Sequence, residues 1–107
     1  MGSSPTQSGD IGTITNLICK CHKNSCDHGF WDGDKNDGEC IALMHSELSE
    51  ALEALRNGDE AAVAEELADL CILVFVYCGA RDIDLELAIE QKMEYNKTRP
   101  YKHGKKF

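Results

Sequence analysis

Four acidic residues have the types and the spacing to bind a divalent metal ion. They form two pairs, Glu47 with Glu50 and Glu66 with Asp69, and the members of each pair are three residues apart. Between residues 47 and 69 the chain carries eight acidic residues and a single base, Arg56. Carboxylates at this density repel one another unless cations lie among them or water screens them. Carboxylate oxygens are the ligands of hard cations such as Mg²⁺ and Mn²⁺. The pattern therefore indicates either a metal site or a solvated acidic helix face.

The two acidic pairs lie in two segments with the apolar periodicity of helices. The first apolar stripe is Ile41, Met44, Leu48, Ala51, Leu52 and Leu55, and the second is Val63, Leu67, Leu70, Cys71, Val74 and Cys78. Between them, Gly58 suits a helix C-terminus and Asp59 suits an N-cap. So short a linker makes the two helices antiparallel neighbours. Both acidic pairs then fall on the same edge of the hairpin, where all four carboxylates can converge.

The acidic hairpin resembles a known family of enzymes. Glu47-Leu-Ser-Glu50 followed by Glu66-Leu-Ala-Asp69 resembles the E-x-x-E…E-x-x-D signature of the MazG-like all-α nucleoside triphosphate pyrophosphohydrolases. Residues 92–105 are similar to the family's closing K-x-x-x-N…R-P…H-G-K stretch, and residues 28–32 are similar to an aromatic segment of its short single-domain members. The resemblance implies Mg²⁺-dependent cleavage of (deoxy)nucleoside triphosphates to the monophosphate and pyrophosphate, a house-cleaning reaction of the nucleotide pool.

The resemblance also implies roles for individual residues. Glu47, Glu50, Glu66 and Asp69 are expected to hold one or more Mg²⁺ ions, with Mn²⁺ as a possible substitute. Glu47 or Glu50, where it is not fully engaged by metal, would take the proton of the attacking water. The residues expected to contact the substrate, as phosphate and sugar ligands or as an aromatic wall for the base, are Lys92, Asn96, Arg99, His103, Lys105, Phe30 and Trp31.

Length and charge restrict the class of protein. A chain of 107 residues is enough for one domain with a modest core. The net charge of −8 argues against a nucleic-acid polymer as partner, although residues 92–107 carry six lysines and arginines that suit a small polyanion. No apolar run is long enough for a membrane span and no leader precedes the first helix. We therefore expect a cytoplasmic protein that binds neither membrane nor nucleic acid.

The expected fold class is all-α, a single domain of the four-helix-bundle type. Periodicity and capping signals predict helices over residues 10–23, 37–57 and 59–79, and from residue 82 or 84 to 96, before Pro100. The expected organisation is a disordered segment (1–9), the helical domain (10–98) and a basic tail (99–107). Because small helical units often extend their core by association, we expect a homodimer or a homotetramer.

A cluster of cysteines and histidines leaves other interpretations open. Six such residues lie within twenty-two positions: Cys19, Cys21, His22, Cys26, His28 and Cys40. Their spacing is not that of a zinc finger or ribbon, so free thiols in a reducing compartment are the simplest interpretation. A disulfide within the cluster and a zinc-binding regulatory protein built on it remain alternatives. A non-catalytic helical module for dimerisation or binding is another.

Overall fold

The computed structural model describes residues 12–29 and 36–106, with the side chains of residues 103 and 104 excepted. Within these ranges the protein contains helices and turns and no strand. The elements are α1 (Thr13–Asp27), α2 (Asp37–Arg56), α3 (Glu60–Ala80), α4 (Leu85–Lys97) and a 3₁₀ turn, Tyr101–Gly104. The all-α prediction is confirmed. Phe30, Trp31 and the predicted disordered segment, residues 1–9, lie outside the described residues.

The α2–α3 hairpin follows the capping signals closely. The side chain of Asn36 caps α2 by accepting a hydrogen bond from the backbone N–H of Glu39 at 3.2 Å. Gly58 has a positive φ of 73° between the helices, and the side chain of Asp59 accepts from the N–H of Ala62 at 3.0 Å. These local contacts reverse the chain within three residues, so α3 packs along α2.

The first helix is longer than the sequence pattern indicated. A helix ending before Asn24 was expected, but α1 continues to Asp27, so that boundary is wrong. Packing of α1 on α3 stabilises the extra turn, as does an ion pair of 2.8 Å between Lys23 Nζ and Asp27 Oδ2. The chain leaves the helix at Gly29, whose φ is 79°. Tertiary packing here outweighs the weak helix propensity of Asn24.

An ion pair joins the far end of α3 to the start of α2. Arg81 Nε donates to Asp37 Oδ1 at 2.7 Å, and the Arg81 guanidinium lies 5.8 Å from the centroid of the Tyr77 ring. The hydrogen bond from Arg81 lowers the pKa of the Asp37 carboxyl below its ordinary value of 3.8. The pair therefore holds the open ends of the antiparallel helices together while Asp37 is ionised.

Replacing Arg81 with glutamine should lower Tm at pH 7 by a small amount, because both partners are exposed to solvent. The stabilisation from a lowered carboxyl pKa is complete above the ordinary value and is lost as the pH falls through the lowered value. Thermal melts of wild type and Arg81→Gln should therefore converge as the pH falls below about 4, apart from pH-independent contacts of Arg81 such as that with the Tyr77 ring. A Tm difference that is constant from pH 7 to pH 2 would show that the ion pair contributes nothing.

Gly79 allows α1 and α3 to approach closely. A Cβ atom on Gly79 would lie 2.7 Å from the Cβ of His22 and 3.3 Å from Cγ2 of Ile18. The Cβ of His22 is bonded directly to the α1 backbone and cannot move aside without moving the helix. Glycine is therefore required at this crossing for steric reasons, although it lowers helix propensity.

We expect Gly79→Ala to destabilise the fold by on the order of 1 kcal/mol. Overpacking costs about 1–3 kcal/mol, and the better helix propensity of alanine offsets about 1 kcal/mol of that cost. Urea denaturation would measure the change. In a double-mutant cycle with His22→Gly, which removes the nearest atom, most of the penalty should disappear. If Gly79→Ala alone stabilises the protein, the inference that α1 and α3 leave no room for a Cβ atom at this position is wrong.

The fourth helix is attached mainly to α1. Asp84 caps it by accepting from the N–H of Leu87 at 3.1 Å, which confirms one of the two predicted cap positions. The Glu86 carboxylate accepts from the backbone N–H of Thr15 at 3.1 Å, at the start of α1. In the part of the chain that the structure describes, α4 has no fully buried residue.

The core of the single chain is small. Five apolar side chains are buried in the described ranges: Ile18, Cys40, Ala51, Val76 and Cys78. Many larger ones remain exposed, among them Leu48, Leu52 and Leu55 of α2, which are 51%, 48% and 64% exposed. None of the described helices is long and apolar enough to cross a membrane.

Candidate metal and phosphate site

Three of the four predicted metal ligands come together between α2 and α3. Glu47, Glu66 and Asp69 each place a carboxylate oxygen within 4.8 Å of the others. Glu47 and Glu66 are half-buried, and Asp69 is exposed. Among the described residues this is the only group of three acidic, histidine or cysteine side chains with ligand atoms so close. The antiparallel hairpin brings these three together, whereas the spacing predicted that all four acids would converge.

The electrostatics of this acid cluster, Glu47 with Glu66 and Asp69, favour a bound cation. A hydrogen bond with Glu47 raises the pKa of Glu66, and so do desolvation and the negative charges of Glu47 and Asp69. Oε2 of Glu47 is buried without a hydrogen-bond partner. The ion pairs of the described residues, Lys23–Asp27, Arg81–Asp37 and Lys97–Glu94, all lie elsewhere. No basic side chain among them neutralises the cluster.

The donor set fits Mg²⁺ or Mn²⁺. All three ligands are carboxylates, and hard divalent cations prefer oxygen donors. The orphaned Oε2 of Glu47 is the kind of buried acceptor that needs a partner. A cation among these oxygens would remove the repulsion that raises the pKa of Glu66. A solvated acidic face would not require a half-buried, unpartnered carboxylate oxygen.

Glu50 is not among the acids that the structure brings together. It lies three residues after Glu47 on α2 and its side chain is exposed. Its position near the cluster is consistent with contact to a solvent molecule or a substrate. Direct participation in the metal site remains a prediction.

The basic residues predicted to contact phosphate lie on and after α4. Lys92 Nζ is 5.1 Å from the centroid of the Tyr95 ring, and the Arg99 guanidinium is 5.6 Å from the same centroid. Oδ1 of Asn96, also on α4, is buried without a hydrogen-bond partner. Lys92 and Arg99 thus lie over the same aromatic ring. Arg99 follows the helix, because α4 ends at Lys97.

The structure gives less information about the remaining residues that were predicted to contact the substrate. Lys105 is exposed after the 3₁₀ turn. The side chain of His103 lies outside the described part, as do Phe30 and Trp31. Their predicted roles toward phosphate and base stay predictions.

The cysteine and histidine cluster does not form a comparable site. His22 Nε2 lies 3.4 Å from Cys26 Sγ, one turn apart on α1. No three of the six side chains bring their ligand atoms as close together as the acid cluster does, and all six cysteines of the chain are free thiols. Burial raises the pKa of the Cys21 and Cys78 thiols, which makes them less reactive. These observations do not favour the zinc-binding alternative.

Sequence reasoning did not identify the space next to the acid cluster. Leu43 and Leu73 line a cavity between α1 and the hairpin. Each is four residues from a clustered acid, Leu43 before Glu47 and Leu73 after Asp69. This spacing puts both leucines on the acidic face of their helices. It is the feature of the sequence from which the cavity could have been predicted.

The chain matches the model of a known protein family. Residues 22–94, more than half of the chain, match the model of the PRA-PH family, described as phosphoribosyl-ATP pyrophosphohydrolase. This family is in the same all-α pyrophosphohydrolase superfamily as the MazG-like proteins. The match covers α2, α3 and the acid cluster. No curated protein and no solved structure matches the chain significantly.

Proposed function

Because the chain belongs to the phosphoribosyl-ATP pyrophosphohydrolase family, whose activity is hydrolysis of an acid anhydride, we propose that it hydrolyses (deoxy)nucleoside triphosphates. The products would be the nucleoside monophosphate and pyrophosphate, and the role would be house-cleaning of the nucleotide pool. The observation that carries the proposal is the acid cluster, in which three carboxylates from two helices converge without a basic partner among the described residues.

Glu47, Glu66 and Asp69 would hold the magnesium ion, with Mn²⁺ as a substitute. When bound, the metal supplies neutralisation of phosphate charge and a lowered pKa of coordinated water. The protein's part is to hold the three oxygens ready on two rigid helices, so that little reorganisation is needed when the substrate arrives.

The bond changes follow from the products. Water attacks the α-phosphorus in line with the bridging oxygen to the β-phosphorus, that P–O bond breaks, and pyrophosphate leaves. Glu50 takes the proton of the water as general base. It suits this role because it stands one turn from Glu47 and outside the three-acid group.

Basic side chains would bind the rest of the triphosphate. A chain with a net charge of −8 repels a polyanion unless cations are positioned locally. Lys92 and Asn96 would contact phosphate or sugar, and Arg99 and Lys105 would neutralise the leaving pyrophosphate. The grouping of Lys92 and Arg99 on the Tyr95 ring supports this assignment, because it holds two cations near each other.

We further propose that the protein acts as a homo-oligomer, with a second copy covering the groove between α2 and α3. The groove is lined by His45, Leu48, Ser49, Ala51, Leu52, Leu55, Val63 and Leu67. None of these side chains is acidic, so contact between two copies here would not place carboxylates of the groove against each other. The small core of the single chain gives the physical reason for association.

Phosphoribosyl-ATP is a second candidate substrate, because the matching family is described by it. The chemistry at the triphosphate would be the same, and only the group on the adenine would differ. The acid cluster does not distinguish the two candidates, since it is made of residues suited to phosphate and metal.

The test is a substrate panel with isotope labelling. The eight common nucleoside triphosphates and phosphoribosyl-ATP are assayed for pyrophosphate with and without Mg²⁺, in water enriched in ¹⁸O. We expect Mg²⁺-dependent turnover with ¹⁸O in the monophosphate, which reports attack at the α-phosphorus. Label in pyrophosphate would contradict the mechanism. No turnover, together with no change of Tm with Mg²⁺ or nucleotide, would favour the non-catalytic helical module.

A further inference from the structure

The first helix takes its N-terminal cap from α4, whereas α2, α3 and α4 have caps of their own. The N-cap side chains of these helices accept a hydrogen bond from the turn that follows: Asn36 for α2, Asp59 for α3 and Asp84 for α4. In α1 the N-cap residue is Gly12, and the first turn contains no acidic residue. The carboxylate of Glu86 takes the capping position instead, where Oε1 accepts from the backbone N–H of Thr15 at 3.1 Å. The positive end of the α1 dipole favours a carboxylate at this point.

Gly12 makes room for this carboxylate. A Cβ atom at position 12 would collide with both carboxylate oxygens of Glu86. The backbone at Gly12 is extended, with an ordinary φ of −63°, so a larger residue would not be strained by its backbone conformation. The contact with α4 is therefore the steric reason for glycine here, and it joins parts of the chain that are far apart in sequence.

The first turn of α4 attaches this helix to the rest of the protein. Leu85 and Glu86 are half-buried, whereas residues 87–95 are exposed. Leu85 lines a small cavity together with Thr15 and Ile18 of α1, next to the hydrogen bond that Glu86 accepts. The helix is thus held at its N-terminal end and extends from there.

We infer that Glu86 is a positioning residue for substrate binding, an inference that rests on the proposed function. Under that proposal Lys92 and Asn96 of α4 contact phosphate or sugar. They follow Glu86 by six and ten residues, which is about 9 Å and 15 Å along the helix axis. Because α4 is held at one end, a rotation about that end displaces both side chains, and Asn96 further than Lys92. Glu86 therefore determines where α4 presents them without contacting the substrate itself.

The same contact relates α4 to the acid cluster. The first helix packs on α3, which carries Glu66 and Asp69, and α4 is attached mainly to α1. The position of Lys92 and Asn96 relative to the metal ligands therefore depends on the hydrogen bond that Glu86 accepts. Loss of this bond should leave the three acids in place, because they belong to the α2–α3 hairpin.

Kinetics of Glu86 variants test the inference. Glu86→Ala should raise KM for nucleoside triphosphates roughly tenfold or more, because a displaced donor no longer stabilises the phosphate charge. The kcat and the Mg²⁺-dependent gain in Tm should stay close to their wild-type values, since the metal ligands are intact. Glu86→Gln keeps an acceptor oxygen for the N–H of Thr15 and should keep KM close to wild type. Glu90→Ala removes the same charge at an exposed position one turn later, and as the matched control it should leave KM unchanged.

A purely structural role would have a different signature. It would lower Tm without raising KM, because the kinetics are measured well below the melting transition. If KM of Glu86→Ala equals that of the wild type, or if Glu90→Ala raises KM as much, the inference is wrong, although turnover by the wild type would still uphold the proposed function.

Calorimetric titration with inorganic pyrophosphate and Mg²⁺ makes the same comparison without turnover. Glu86→Ala should raise the Kd for pyrophosphate by a factor similar to that for KM, and Glu90→Ala should not. An equal Kd in wild type and Glu86→Ala, or no binding by the wild type, would overturn the inference.

Hydrogen exchange at the start of α1 tests the contact itself and does not depend on activity. Gly12→Ala places a methyl group where the Glu86 carboxylate lies, so Gly12→Ala and Glu86→Ala should each accelerate exchange of the Thr15 amide hydrogen. In the Glu86→Ala background, Gly12→Ala should have a much smaller effect than in the wild type, since the collision is already removed. Additive effects, or an unchanged Thr15 amide in Glu86→Ala, would show that Glu86 does not hold α4 on α1, whether or not the wild type hydrolyses triphosphates.

Discussion

Replacing Glu66 with glutamine is expected to lower pyrophosphate release on the order of 10²-fold or more and, at the same time, to raise the Tm of the metal-free protein. The first effect follows because a metal that stabilises phosphate charge lowers the activation barrier by several kcal/mol, so losing the metal raises the barrier by that amount. About 1.4 kcal/mol corresponds to a tenfold change in rate. The second follows because the variant removes one of the negative charges that now repel each other around Glu66.

Both effects can be measured on one pair of protein samples. Thermal melts with a chelator and with millimolar Mg²⁺ should show that the wild type gains stability from the metal and Glu66→Gln does not. Glu53→Gln, one turn beyond Glu50 at an exposed position of α2, is the matched control and should behave as wild type. Full activity of Glu66→Gln at saturating Mg²⁺ would show that the metal assignment is wrong.

The variant Glu50→Gln tests whether Glu50 acts as the general base or as a metal ligand. If Glu50 takes the proton of the water, this variant should lose turnover at saturating Mg²⁺ but keep the Mg²⁺-dependent gain in Tm. The same loss of Mg²⁺ stabilisation as in Glu66→Gln would instead place Glu50 in the metal site.

Replacing Leu52 with glutamate should dissociate the oligomer. Burying one leucine contributes about 1.5–3 kcal/mol, and in a two-fold symmetric dimer each interface residue occurs twice. The dissociation constant should therefore rise on the order of 10²-fold or more. Sedimentation equilibrium over a range of concentrations measures it, and Tm should fall because the small core loses its partner.

The matched control for the oligomer is Leu87→Glu. Leu87 lies on α4 and is 47% exposed, nearly the same as the 48% of Leu52, but it is outside the groove between α2 and α3. It should leave the association state unchanged. A wild-type chain that stays monomeric at high concentration, or equal effects of the two variants, would contradict association through this groove.

Several features of the fold were decided by residues close together in sequence. Asn36, Gly58, Asp59 and Asp84 occupy the helix ends that their side chains suit, since caps depend on contacts within a few residues. The angular position of a side chain around its helix axis is also determined locally, because each successive residue is rotated by about 100° about that axis. The spacing of the two acidic pairs, with a short linker, therefore predicted that all four carboxylates converge, and the structure brings three of them together.

The boundary of α1 shows where local signals fail. Asn24 and Ser25 have weak helix propensity, but α1 continues through both because it packs on α3. The contact that allows this packing, Gly79 against His22, joins residues far apart in sequence. Nothing local identified Gly79 as a crossing point.

The sequence alone thus determined the helical hairpin, its caps and which acids share an edge, because these depend on periodicity and on neighbours a few residues away. Only the tertiary structure decided that Glu47 joins Glu66 and Asp69 while Glu50 stays exposed, since that choice depends on how α2 and α3 are rotated against each other. It also decided that α1 leaves a cavity beside the acids. Distances between helices are determined by side-chain packing across the interfaces, which one-dimensional spacing does not contain.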